Sequence, residues 1–364
     1  MIRVLHVLGG LNRGGAETMV VNLYRAIDKT KVQFDFIIHT SRPQDYLEEV
    51  KSMGARVFCF PSFHGKNIKQ VLNNWNKFFK EHPEYKILHS HVRSYASVYL
   101  PIAKKYGVKT IIHSHSTSNG TSRSAKIKTL MQFPLRYQAD YLFGCSQNSG
   151  DWLYGKKMSH SDKFYILQNA IDVDSYNPDN YDKEKYIEDL NISGKTVYGH
   201  VGRLHPAKNH MFLLEVFKEI HSQNPNSVLL IIGGGELQKS IEAKVEELGL
   251  QSSVMMLGSR SDVRELLSVV DCFLFPSKWE GLPLSVVEAQ AAQIPCLVSD
   301  TVTKEVGVSD LVKYLPIDKG IGIWVEEALN LKVSKHDVNS FIKDRGFDVK
   351  ASAKWLTDFY TKML

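Results

Sequence analysis

With 364 residues the chain is long for one hydrophobic core and sits near the length of two domains, and its 43% hydrophobic and 23% charged content is that of an ordinary soluble globular protein. No apolar run approaches the roughly 20 residues of a membrane span, and Met1-Ile-Arg-Val-Leu-His6 leads straight into a strand-like segment with no signal-peptide pattern, so a cytoplasmic protein is expected. The net charge of +6 is unevenly placed: residues 1–170 hold 24 Lys+Arg against 11 Asp+Glu, a balance of +13, so the first half is expected to meet something anionic, whether nucleic acid, a membrane surface or a phosphorylated acceptor.

Arg3 to Leu8 reads as a first strand, followed at once by Gly9-Gly-Leu-Asn-Arg-Gly-Gly15 and by apolar residues at helical spacing from Ala16 to Ile27. Strand, glycine loop and helix together let backbone approach a phosphate or sugar closely. The spacing is not G-x-G-x-x-G, so the dinucleotide fingerprint is missing. Further strand candidates at 34–39, 55–60, 85–89, 109–113 and 140–145 alternate with helical stretches, which specifies a doubly wound α/β domain. The four cysteines (Cys59, Cys145, Cys272 and Cys296) lack C-x-x-C spacing and read as buried reduced thiols.

Two of these strands end in His89-Ser-His91 and His113-Ser-His115. Alternation puts both members of each pair on one side of the strand, at the end that faces a ligand crevice. Such pairs can bind metal, yet no carboxylate lies close in sequence to complete a ligand set, so metal is the minor reading. Between residues 123 and 137, Arg123, Lys126, Lys128 and Arg136 interleave with Ile127, Leu130, Met131 and Phe133. A basic amphipathic segment of this kind suits an anionic membrane surface.

Turn formers from Gln168 to Pro178 mark a domain boundary, and the second half repeats the alternation. Strand 196–201 runs into a loop carrying Arg203 and Lys208, two cations suited to a diphosphate, ahead of a helix expected over 209–221. Val228 to Ile232 runs into Gly233-Gly-Gly-Glu236, a turn with close backbone access and no Walker lysine. After Cys272-Phe-Leu-Phe-Pro276 comes Lys278-Trp-Glu-Gly-Leu-Pro-Leu-Ser-Val-Val-Glu288. Proline is tolerated only in a first helical turn, which puts the helix start near Leu282 to Leu284. The N–H groups of Leu282, Leu284 and Ser285 would then face outward as an anion site, between the carboxylates of Glu280 and Glu288. Past Val298 the pattern weakens, until 348–364 reads as a helix whose apolar face includes Ala353, Leu356 and Tyr360.

On these motifs the chain resembles the retaining glycosyltransferases of family 4, whose GT-B fold has two facing Rossmann-like domains, and most closely the branch that builds bacterial exopolysaccharide and capsule. Gly9 to Glu17, Ile112-His-Ser-His115, Gly199-His-Val-Gly-Arg-Leu204 with Lys208-Asn-His210, and Glu280 to Glu288, an E-x7-E signature, stand in the family's order. The resemblance implies an acceptor-binding domain over 1–170, a nucleotide-sugar domain over 171–347, and a final helix, 348–364, returning to the first. It implies that Arg203 and Lys208 hold the donor diphosphate, that Glu288 binds the ribose and Glu280 the sugar hydroxyls, and that Gly14 and Gly15 reach the phosphates. Gly233, Gly234, Arg260, Gly281, Leu282, Leu284 and Ser285 complete the expected donor-binding set. His115 best matches the family's active-site histidine, with His113 left open as the alternative.

The implied reaction moves a hexose or N-acetylhexosamine, with retention and without a metal or other cofactor, from a UDP-linked donor to a polyprenyl-diphosphate-linked saccharide at the inner face of the plasma membrane. Ser116 stands where many relatives carry Asn, so acceptor preference is not carried over. The competing readings are a nucleotide-sugar epimerase of the same shape and a non-catalytic partner of another transferase. Nucleic acid is disfavoured because no recognition motif accompanies the basic charge.

Overall fold

The computed structural model describes residues 1–116, 123–331 and 337–364, the side chains of 123–125 excepted. The chain divides into two compact units, unit 1 comprising Met1–Ala170 with Val349–Leu364, and unit 2 comprising Ile171–Asp348.

Unit 1 is built on seven strands, β1 (Ile2–Val7), β2 (Val32–Ile38), β3 (Val57–Cys59), β4 (Ile87–Ser90), β5 (Lys109–Ser114), β6 (Tyr141–Gly144) and β7 (Phe164–Ile166). They lie in the order β3-β2-β1-β4-β5-β6-β7, all parallel. Parallel strands covered on both faces need apolar side chains on both, and alternation distributes them. Val4 of β1, Phe34 and Phe36 of β2, Ile87 of β4 and Ile111 of β5 enter one buried cluster. Leu5 and Val7, Ile37, Leu88 and Ile112 enter another. The C-terminal helix Val349–Met363 closes the first cluster with Ala353, Leu356 and Tyr360.

Unit 2 has six strands, β8 (Thr196–Val201), β9 (Ser227–Ile232), β10 (Val254–Gly258), β11 (Cys272–Phe275), β12 (Cys296–Ser299) and β13 (Val312–Leu315). Their order is β10-β9-β8-β11-β12-β13, again all parallel. In each sheet the strand order reverses beside the first strand of the unit, and ligands of such sheets bind beyond the strand ends at that reversal.

Several expectations need correction. The helix after β11 runs Leu284–Ala291, its start within the expected Leu282 to Leu284 and with Pro283 at its cap. The Leu282 N–H therefore falls outside the helix, because φ of −75° and ψ of 99° at Pro283 hold the preceding chain extended. The basic amphipathic segment is two helices, Arg123–Gln132 and Leu135–Gln138, parted at Phe133-Pro134 where a proline nitrogen cannot donate. Cys145, Cys272 and Cys296 are buried, but Cys59 is exposed, since it ends the short edge strand β3. β7, β13 and the helices Gly322–Leu329 and Asn339–Asp344 carry too few residues to show a period, unlike the final helix.

Candidate active site

In unit 2 the loop after β8 makes a 3-10 turn at Pro206–Lys208 and closes on Asn209, whose φ of 58° is left-handed. Two long-range bonds pin it to the segment after β11: Asn209 Nδ2 donates to the Pro276 carbonyl at 3.2 Å and Lys278 N to the Ala207 carbonyl at 2.7 Å. That brings Lys208 and Glu280 together, Nζ to Oε1 at 2.8 Å, with each side chain 15% exposed. The contact is an ion pair without hydrogen-bond alignment at Oε1. Lys208 Nζ also lies 4.6 Å from the centre of the Phe275 ring, so its charge is confined to this spot.

The Gly233-Gly-Gly turn runs at backbone contact with the same loop. A Cβ on Gly233, at φ 145°, would strike the Gly202 carbonyl, and one on Gly235 the Leu204 carbonyl. Leu204 N donates to the Gly234 carbonyl at 3.0 Å, which holds Arg203 at the rim. Arg203 is exposed and pairs with Glu236 at 3.1 Å. Arg260 forks onto Asp262 at 2.6 and 2.8 Å, engaged by its own neighbour.

Leu284 and Ser285 open the helix, with Gly281 exposed in the turn before it, and Glu288 lies one turn in. Burial pushes the Glu288 carboxyl above the usual carboxylate range, opposed by a hydrogen bond with Tyr176 and by the charge of Arg264. The Arg264 guanidinium stacks on Tyr176, 5.3 Å from its ring centre. Sequence reasoning missed Tyr176 and Arg264, because the one stands in a turn-rich boundary and the other on a helix with no recognisable motif.

In unit 1 the helix Gly15–Ala26 begins directly after Gly14, whose backbone is extended. Strand register explains the histidines. His6 of β1 is directly opposite His89 of β4, and His113 stands two residues beyond the partner of His89 on β5. His91 and His115 follow their strand ends. All but His115 are buried; His115 is half-buried. Burial holds His6 and His115 down to about 3, with the Arg93 charge adding to the effect on His115. His89, His91 and His113 lie well below the ordinary histidine value for the same first reason. The rings are neutral near pH 7 and act as hydrogen-bonding groups or ligands, not as cations. The sequence marks four of the five; His6 carried no H-x-H signal.

Two family models match in tandem, "Glycosyltransferase Family 4" over residues 13–175 and "Glycosyl transferases group 1" over residues 182–355. A Bacillus subtilis (strain 168) protein named as a glycosyltransferase, EpsF, is 34% identical over 369 residues, covering 98% of this chain and 96% of its own. The chain belongs to the family 4 glycosyltransferases.

Other members extend the likeness across the chain. The UDP-Gal:α-D-GlcNAc-diphosphoundecaprenol α-1,3-galactosyltransferase of Escherichia coli is 25% identical over 100% of this chain and 97% of its own. Among solved structures, Anabaena HepE in complex with UDP and glucose aligns with a TM-score of 0.77 at 16% identity, over 99% of this chain and all of that one, and supports the GT-B fold.

The basic segment of this family 4 chain is exposed. Lys126 and Lys128 are exposed beside Ile127, Leu130, Phe133 and Tyr137, which are 62%, 76%, 53% and 65% accessible. Arg136 is instead half-buried, donating to the Leu153 carbonyl at 3.1 Å and lying 4.5 Å from the Phe133 ring centre. The side chain of Arg123 lies outside the described residues. Among the described residues no helix is long and apolar enough to cross a membrane.

Proposed function

We propose that this glycosyltransferase moves a hexose or N-acetylhexosamine from a UDP-sugar to a polyprenyl-diphosphate-linked saccharide, with retention and with no divalent ion taking part in the transfer. The observation that carries the reading is the Lys208–Glu280 pair, a cation and a carboxylate held 2.8 Å apart by loop pins from two strands, in the segment that leads into the helix bearing Glu288. Lys208 and the rim cation Arg203 suit a diphosphate; Glu280 accepts hydrogen bonds from sugar hydroxyls, and Glu288 from the ribose.

In the proposed step the acceptor hydroxyl attacks the anomeric carbon on the face from which the nucleotide departs. The bond from that carbon to the phosphate oxygen breaks, and the hydroxyl proton passes to the departing phosphate. Arg203 and Lys208 stabilise the charge that develops there. Neutral His115, half-buried past the end of β5, offers a hydrogen bond to the sugar. The start of the helix after Gly14 suits an anionic group, and the Glu17 carboxylate, which accepts from its own N–H, already takes one such place. Exposed Leu130, Phe133 and Tyr137 beside Lys126 and Lys128 support docking at an anionic lipid surface on the cytoplasmic side, where such an acceptor resides.

Calorimetric titration with UDP, GDP and ADP, followed by UDP-sugars with a polyprenyl-diphosphate saccharide in EDTA, tests this. Selective UDP binding and an α-linked product from an α-linked donor support it. Loss of turnover in EDTA would remove the metal-free step. Turnover of the donor with no acceptor, giving an epimer, would replace the transferase reading.

A further inference from the structure

Five imidazoles meet in unit 1, and the proposed transfer calls on one of them. His91 is the hub: its Nε2 is 3.1 Å from His6 Nδ1, and its Nδ1 is 2.7 Å from His115 Nε2. His113 Nδ1 is 3.3 Å from His89 Nε2, and His89 Nδ1 is 2.6 Å from the Tyr360 hydroxyl. One ring nitrogen from each of His91, His113 and His115 lies within 4.8 Å of the other two. Hydrogen bonding leaves the group incomplete, since His113 Nε2, the ring nitrogen opposite the one on His89, is buried without a partner. A nitrogen left in that state costs on the order of 1–3 kcal/mol, which an ion bound to it would remove.

We propose that His91, His113 and His115 form a binding site for a late first-row divalent transition ion of the Zn²⁺ class. Three neutral imidazoles without a carboxylate suit zinc, cobalt, nickel or copper and not the oxygen-seeking Mg²⁺ or Ca²⁺. Three histidines with a fourth position open to solvent is a ligand set that zinc accepts, and the partial exposure of His115 leaves that position accessible. The nitrogens behind the ligands are held as such a site requires: His6 backs His91, and His89 with Tyr360 backs His113, fixing which ring nitrogen faces inward. His6, His89 and His91 could also gather around an ion. That alternative ranks second because all three of its rings are buried, which leaves no fourth position open to solvent.

Two nitrogens on a tetrahedral ion at about 2.0–2.1 Å stand about 3.3 Å apart. The His91–His115 pair must therefore open from 2.7 Å by roughly half an ångström, a movement available to a side chain past the strand end. The Arg93 charge, which bears on His115, opposes the ion, so neutralising it should tighten binding.

The test uses full-length, tag-free protein stripped with chelator, titrated with Co²⁺ and followed by its visible d–d absorption, with Zn²⁺ as competitor. This readout is independent of any transfer activity. One equivalent of tetrahedral Co²⁺, displaced by Zn²⁺, is expected. Binding should weaken at least about tenfold in His115→Gln and His91→Gln, stay unchanged in the exposed control His64→Gln, and tighten several-fold in Arg93→Gln. Thermal unfolding of each metal-free variant checks the fold, and if the histidine variants do not fold the Arg93→Gln shift decides. Absence of a d–d band, affinity unchanged in the histidine variants, or no tightening in Arg93→Gln overturns the site.

Discussion

Replacing Glu280 by Gln separates its two roles, partner to Lys208 and acceptor for sugar hydroxyls. At 2.8 Å the gross attraction in the Lys208–Glu280 pair is about 6 kcal/mol at an effective dielectric of about 20. Desolvation offsets most of it, and side chains 15% exposed lie between a surface pair, worth about 0–1 kcal/mol, and a buried one whose breakage costs about 3–5 kcal/mol. Glu280→Gln should therefore destabilise unit 2 by roughly 2 kcal/mol while freeing the ammonium for phosphate. UDP, which has no sugar for Glu280 to hold, should bind as tightly as before or up to about tenfold tighter. UDP-sugar turnover should fall by about 10²-fold, because the sugar loses its positioning group. Lys208→Ala should behave oppositely in binding, weakening UDP by about 2 kcal/mol and lowering turnover by about 10²–10³-fold. Calorimetry with UDP and steady-state transfer, each with a melting curve, read these effects. If Glu280→Gln weakens UDP as much as Lys208→Ala does, Glu280 is not the sugar-facing group and the division of roles fails.

Removing the Tyr176 hydroxyl with Tyr176→Phe should weaken UDP about threefold to tenfold by releasing Glu288, in line with the net worth of one ordinary hydrogen bond; unchanged affinity by calorimetry would make Tyr176 structural only. His210, buried with both ring nitrogens unpartnered, titrates at about 4 in the folded chain against about 6.5 unfolded. The unfolded chain takes up that proton first, so its contribution is whole above about pH 6.5 and is lost progressively as pH falls toward 4, by about 2 kcal/mol at pH 5. Urea unfolding at pH 7.5 and 5 should show the loss, reduced in His210→Phe, and an equal loss in both proteins would assign it elsewhere. Vesicles with anionic lipid should retain the protein at low salt and release it as salt rises, with the double variant Lys126→Glu, Lys128→Glu weakened by about 2 kcal/mol or more and Leu130→Ser weakened at every salt concentration. Salt-independent retention, or none, would count against lipid docking.

The alternation of strands and helices was legible because parallel strands buried on both faces read as near-continuous apolar runs, as in Val228 to Ile232 and Cys272 to Phe275. β7, three residues long at a sheet edge, has no such run. The setting of the residues proposed to bind phosphate was legible for a similar local reason: glycines and prolines fix where the Arg203 loop and the 284–291 helix begin, so the charges beside them have a defined place. What was not legible depends on which strands are neighbours. Lys208 and Glu280 are 72 positions apart and meet because β8 lies beside β11, so that the turns after both strands share one end of the sheet.

The histidines make the same point more sharply. Spacing alone puts His89 with His91 and His113 with His115, two unrelated pairs. The order β2-β1-β4-β5 then places β1 at the reversal point, and the β1–β4 register sets His6 across from His89. One step of register would turn His6 to the opposite face, among Leu5 and Val7. A ligand set from two strands with a backing residue from a third is therefore a property of topology, and only after the sheet order is known does a stray histidine in the first strand become part of a site.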